Sequence, residues 1–179
     1  MNKRKIQWLR IAWLPAGALT VLSAVLALNT VQAAEPVDGL RMKFVVESAH
    51  GDLLEQGRYV RAGNYLANTR NQDSYEVKTN LCVARVMSGQ FRYAQYPCQR
   101  AIELAEEAVR KAPVGSRYQA YASLGDAYNN RGVLHAMMGE EEKALEKLTA
   151  AASLPVMCDC AARNLARLRV ALDDAIASR

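Results

Sequence analysis

Residues 128–155 read YNNRGVLHAMMGEEEKALEKLTAAASLP. Gly139 divides this stretch into two arms, with Tyr128, Gly132 and His135 at helical steps before it and Ala144, Leu148 and Ala151 after it. A glycine supplies the left-handed residue at which one helix ends and the next begins. The small residues beyond it let the two backbones approach closely. The same spacing occurs twice upstream, as Gly89, Ala94, Cys98 and Ala101 and as Gly57, Ala62, Leu66 and Thr69. Repetition of this turn and stripe predicts an all-α fold of antiparallel helical hairpins stacked in a row.

Working outward from the best copy, Ser116 is placed to cap a long helix through Tyr121, Leu124, Tyr128 and Leu134 to Met138. Glu140 to Ser153 returns from Gly139, its acidic start favourable to the helix dipole. Upstream, Asp73 or Ser74 caps a helix running to Gly89, and its partner runs from Phe91 to Lys111 before Pro113 and Gly115. Pro97 lies inside that partner, which predicts a bend there or a helix that starts at Pro97. Tyr59 to Thr69 forms the second arm of a partial first hairpin. Beyond Pro155, the apolar stripe Leu165, Leu168, Ala171, Leu172 and Ile176 predicts a C-terminal capping helix, with Arg163 and Arg167 on its other side. Between Glu35 and Gly51, Met42, Phe44 and Val46 alternate with Lys43, Val45 and Glu47, so a strand-like arm competes with a helix.

From about Asp52 to Ile176 the chain resembles the tetratricopeptide repeat family. The best copy is Tyr128, Gly132, His135, Gly139, Ala144, Leu148, Ala151 and Pro155. A second is Leu81, Cys82, Arg85, Gly89, Ala94, Cys98 and Ala101, with Asn80-Leu81 and Asn130-Arg131 in equivalent places. No tryptophan opens either copy and Arg131 stands where a leucine is usual. The 50 residues from Gly89 to Gly139 exceed the usual repeat of about 34, so the helices between Phe91 and Met138 should run long. The resemblance implies a TPR-like α-solenoid whose first helices line a groove for a peptide or partner helix. Carried over position by position, the groove would be lined by Glu76, Thr79, Val83, Val86 and Met87, then by Asp126, Asn129, Val133, Ala136 and Met137. Short polar and flexible apolar groups suit a polypeptide ligand. The competing reading makes Val86, Met87 and Ala136 simply core.

Four cysteines in an exported chain point to pairing. Reflected about Gln90, Cys82 and Cys98 stand level across the second hairpin, with Cα atoms about 4 to 5 Å apart, which predicts a disulfide; two buried thiols are the alternative. Cys158 and Cys160 admit several readings. They could bridge each other, work as a redox pair at a helix N-terminus, hold a soft metal with Met157 and His135, or pair with another chain.

Lys3, Arg4, Lys5 and Arg10 precede an apolar run from Ile11 to Leu28 and the exit Val31-Gln32-Ala33, the pattern of an export signal cut after Ala33. An uncut helix would serve as a membrane anchor, but Pro15 and Gly17 interrupt the run. The expected organisation is a signal at 1–33, an arm at 34–51 and a helical domain at 52–179. Four of the 23 Lys and Arg leave with the signal and all 18 Asp and Glu stay, so the net charge falls to +1 and argues against nucleic acid or an anionic membrane as partner.

No nucleophile elbow, phosphate-cradling loop or paired-His zinc motif can be assembled, so no enzyme, cofactor or metal is expected. His50 and His135 are the two histidines, and His135 reads as a packed residue of the hairpin. Together these features predict a noncatalytic binding or scaffolding module of the cell envelope, exported to a periplasmic space and bound to a protein or peptide. The alternative is a thiol-disulfide or soft-metal-handling protein using Cys158 and Cys160.

Overall fold

The computed structural model describes residues 39–48, 50–156 and 159–178. The predicted signal at 1–33 and Cys158 lie outside them. The regular elements among the described residues are all helices, α1 Gly51–Glu55, α2 Tyr59–Leu66, α3 Tyr75–Met87, α4 Phe91–Lys111, α5 Arg117–Met137, α6 Glu141–Ala152 and α7 Asp159–Ala177. A single 3-10 turn, Val114–Ser116, joins α4 to α5.

The three glycines of the repeated spacing stand where hairpins turn. Gly57, Gly89 and Gly139 have φ of 69°, 72° and 72°, a left-handed conformation that side chains with a Cβ resist. After each turn the small residue is sealed: Ala62, Ala94 and Ala144 are all 0% exposed. Leu66, Cys98 and Leu148 beneath them are buried as well. Thr69, which completes the spacing in the first copy, falls beyond the end of α2, so that hairpin is short.

From α3 onward each helix packs on the next. In addition α3 touches α5 and α5 touches α7, so these three odd-numbered helices form one layer. Helices α4 and α5 have 21 residues each, against 13 for α3 and 12 for α6, which is where the excess over the ordinary repeat resides. Cys82 and Cys98 form a disulfide between α3 and α4 with Cα atoms 4.8 Å apart. The equivalent place in the next hairpin is held by packing. A Cβ on Gly132 would lie 2.7 Å from Leu148 Cγ, so only glycine lets that leucine fill the gap.

Helix α4 runs from Phe91 to Lys111 as the sequence pattern predicts, and of the two readings of Pro97 a start at the proline is ruled out, because the helix carries it within. Proline removes only the bond to the Tyr93 carbonyl, and the hairpin contacts of Ala94 and Cys98 with α3 hold the first turns regardless. Two other sequence expectations are corrected. Ser116 stands at the N-cap position of α5 but accepts no cap bond from the helix; its hydroxyl donates to the Pro113 carbonyl. The stripe on α7 is sealed only at its start: Leu168 is 1% exposed, whereas Ile176 is 71% exposed because α7 outruns the α6 surface beneath it.

The arm at 34–51 is described from Gly39 onward. It belongs to no helix until Gly51. Leu40, Met42 and Phe44 are half-buried while Arg41 and Lys43 are exposed, the alternation of an extended chain. Leu40 and Met42 pack on the cluster of Cys82, Val86, Val133 and Leu134, and Phe44 packs on Leu54, Leu66 and Val77. A tight turn returns the chain to α1. His50 there has φ 63°, and a Cβ on Gly51 would fall 2.2 Å from the Val46 carbonyl oxygen.

Candidate functional site, an asparagine ladder

An asparagine carboxamide carries one acceptor and one donor side by side, the complement of the N–H and C=O of a single extended residue. Three such side chains project from the layer formed by α3, α5 and α7. Asn164 Oδ1 accepts from the Arg41 amide at 2.9 Å, and its Nδ2 donates to the Arg41 carbonyl at 2.7 Å. Asn130 grips Lys43 in the same way, at 2.8 and 2.6 Å. Asn80 does so for Val45, at 2.8 and 2.9 Å. Successive rungs meet alternate residues because an extended chain turns every second peptide edge to the same side.

Supporting polar groups fix the rungs. Asn129 donates to the Arg41 carbonyl at 2.9 Å and accepts from Asn164 Nδ2 at 2.8 Å, so Asn164 is held in place by a neighbour on α5. Ser48 Oγ accepts from Asn80 Nδ2 at 2.7 Å. All four asparagines are at most 1% exposed. Buried amides of this kind are tolerated because each has its hydrogen bonds; without the arm, the ladder edge would have to be wetted.

The residues expected to line a groove fall at several depths. Asn129 touches the arm directly. Val86, Val133 and Met137 share the apolar cluster on which Leu40 and Met42 rest. Thr79, Val83 and Ala136 are buried. Glu76 and Met87 are exposed, and Asp126 is half-buried. Of the ladder, the sequence pairs Asn80 and Asn130 as equivalent repeat positions without giving them a role. Asn164 carries a weaker signal of the same kind, standing 34 residues after Asn130 and beginning the pair Asn164-Leu165 as Asn80 begins Asn80-Leu81.

At the α7 end of the ladder, Gly39, Arg41, Arg163, Asn164 and Arg167 line a cleft of about 90 Å³. Arg167 Nη1 donates to the Gly39 carbonyl at 2.6 Å, a further hold on the arm's main chain.

Elsewhere, His135 is buried and hydrogen-bonds through Nδ1 to Glu140 at the turn into α6. Burial holds its pKa below the ordinary imidazole value, although the Glu140 bond pulls the other way. The His135 hydrogen bond holds Glu140 below the usual carboxylate range. A neutral imidazole donating to a carboxylate satisfies both. Tyr128, pushed up to about 12 mainly by burial, donates to Glu106 at 2.8 Å, so it serves packing between long helices. Cys160 is 2% exposed at the start of α7.

Among the described residues no group of three or more His, Cys, Asp or Glu is placed to hold a metal ion, and no helix is long and apolar enough to cross a membrane. No family model, characterised protein or solved structure matches the chain. The class rests on the fold and site alone: an all-helical protein whose helix layer holds an extended segment by its main chain.

Proposed function

We propose that this chain is a noncatalytic polypeptide-binding module of the cell envelope, built as a short TPR-like α-solenoid and working through the face that α3, α5 and α7 present. One observation carries the reading. Asn80, Asn130 and Asn164 together make six hydrogen bonds to the backbone of three alternate residues of an extended segment. Such contacts recognise main chain and give affinity, while neighbouring apolar surfaces select side chains. The repeated glycine turns and the spacing of Asn130 and Asn164 support the solenoid reading. Export to the periplasm rests on the basic, apolar and small-residue order of residues 3–33.

The thiol-disulfide alternative draws less support, since a working thiol needs access and Cys160 is sealed. The test places a photoreactive side chain at Met137, beside the arm, and sequences what it crosslinks in intact envelopes. An extended segment of a partner protein, lost in Asn130→Ala, is the expected product. Crosslinks that are equally strong without Asn130, or found only from the exposed face of α4, would remove the groove from the proposal.

A further inference from the structure

We propose that residues 40–45 are a built-in substitute ligand, and that the external ligand is an extended polypeptide segment with apolar side chains at three alternate positions, which binds by displacing this arm. The inference rests on the polypeptide-binding reading and adds the class of ligand and the means of control.

The attachment of the arm points to exchange. Among the described residues, no backbone-to-backbone hydrogen bond joins residues 39–45 to a helix; the arm is held by side-chain amides, by Arg167 and by the half-buried Leu40, Met42, Phe44 and Val45. The amides are indifferent to sequence, because each bonds the N–H and C=O that every residue but proline carries. Any extended segment satisfies them equally well. Selection falls to the surfaces under Leu40, Met42 and Phe44. Met137 and Met138 flank the first two, and their unbranched side chains adapt to different apolar partners. Arg41 and Lys43 face outward, so the intervening positions of a ligand are unconstrained.

The hinge points the same way. With the arm docked, His50 sits in the left-handed region that a Cβ resists, and a strained φ of this kind persists only where surrounding contacts overdetermine it. Undocking relieves the turn and exposes the asparagine edges, which a competing segment then covers. With the arm docked most of the time, the apparent affinity for an external segment falls by the fraction of molecules that are open.

Hydrogen exchange on the unaltered protein tests this directly. The amides of Arg41, Lys43 and Val45 should exchange by a local opening at least about 10-fold faster than the α5 amide of Leu134. A synthetic capped peptide of sequence GLRMKFVV, residues 39–46, should bind in trans and further deprotect those three amides. Met42→Asp combined with Phe44→Asp should raise the affinity for this peptide by about 10-fold or more, and adding Asn130→Ala should abolish the gain. Should the double variant fail to fold, the exchange measurement decides alone. Arm amides that exchange only with global unfolding, or that stay protected while the peptide binds, would show a permanent strap and overturn the inference. Envelope crosslinks from Met137 are read separately. A mobile arm without a crosslinked partner defeats the proposed function, whereas a crosslinked partner beside a fixed arm defeats only this inference.

Discussion

Asn130 holds both polar groups of Lys43, accepting from its amide at 2.8 Å and donating to its carbonyl at 2.6 Å across 87 residues of chain. The two residues meet through main chain on one side and side chain on the other, so the identity of Lys43 is immaterial and that of Asn130 is not. Asn130→Asp keeps the shape and the acceptor but turns a second oxygen toward the Lys43 carbonyl. Leaving that buried site unsatisfied should cost about 1–3 kcal/mol. The loss should appear as faster exchange at Lys43, with the helices of α5 and α6 unaffected at low denaturant. Equal exchange in both proteins would show that the rung holds nothing.

The bridge between Cys82 and Cys98 closes a loop of 16 residues. Replacing both with alanine should lower stability by about 3 kcal/mol, chiefly by freeing the unfolded chain. Urea midpoints of oxidised, reduced and doubly substituted protein give the measurement. The reduced and substituted forms should agree within about 1 kcal/mol, since both cysteines are sealed and their packing is largely retained.

Gly132→Ala places two effects in opposition. Alanine favours the helix by about 1 kcal/mol, but its Cβ would meet Leu148 Cγ at 2.7 Å and the Leu148 backbone nitrogen at 3.2 Å. Overpacking of this kind costs about 1–3 kcal/mol, and the backbone atom cannot rotate away. The variant should therefore be destabilised on balance. Combined with Leu148→Ala it should lose less than the two single changes added together, because the substitutions relieve each other's clash.

Stability should fall as the solution is acidified from pH 7 to 5. His135 has a folded pKa below its unfolded value of about 6.5, so on acidification the unfolded chain takes up the proton first. The contribution is fully present above about pH 6.5 and is lost as pH falls through the folded value. Glu140, also held low, has the same sign below the usual carboxylate range. His135→Gln should flatten the profile between pH 7 and 5. A profile unchanged by that substitution would assign the pH dependence to other groups.

Local order was open to reading along the chain because it depends on short-range chemistry. Gly57, Gly89 and Gly139 mark turns since only glycine takes their left-handed φ without strain, and Ala62, Ala94 and Ala144 mark close approaches since small side chains permit them. The level pairing of Cys82 and Cys98 followed from the same symmetry. Pro97 left two readings open along the chain, and contacts of α4 with α3 decided for a helix that carries the proline within it. The ladder needed three dimensions. Alternation in residues 40–45 announces an extended segment without saying what it lies against, and an isolated asparagine has the same chemistry on a surface as beneath a strand. Stacking α3, α5 and α7 into one layer aligned Asn80, Asn130 and Asn164 with alternate peptide groups of the arm. The 34-residue step from Asn130 to Asn164 marks equivalent positions but does not say which segment, 35 to 123 residues away, the asparagines hold, so the occupied face was settled by packing.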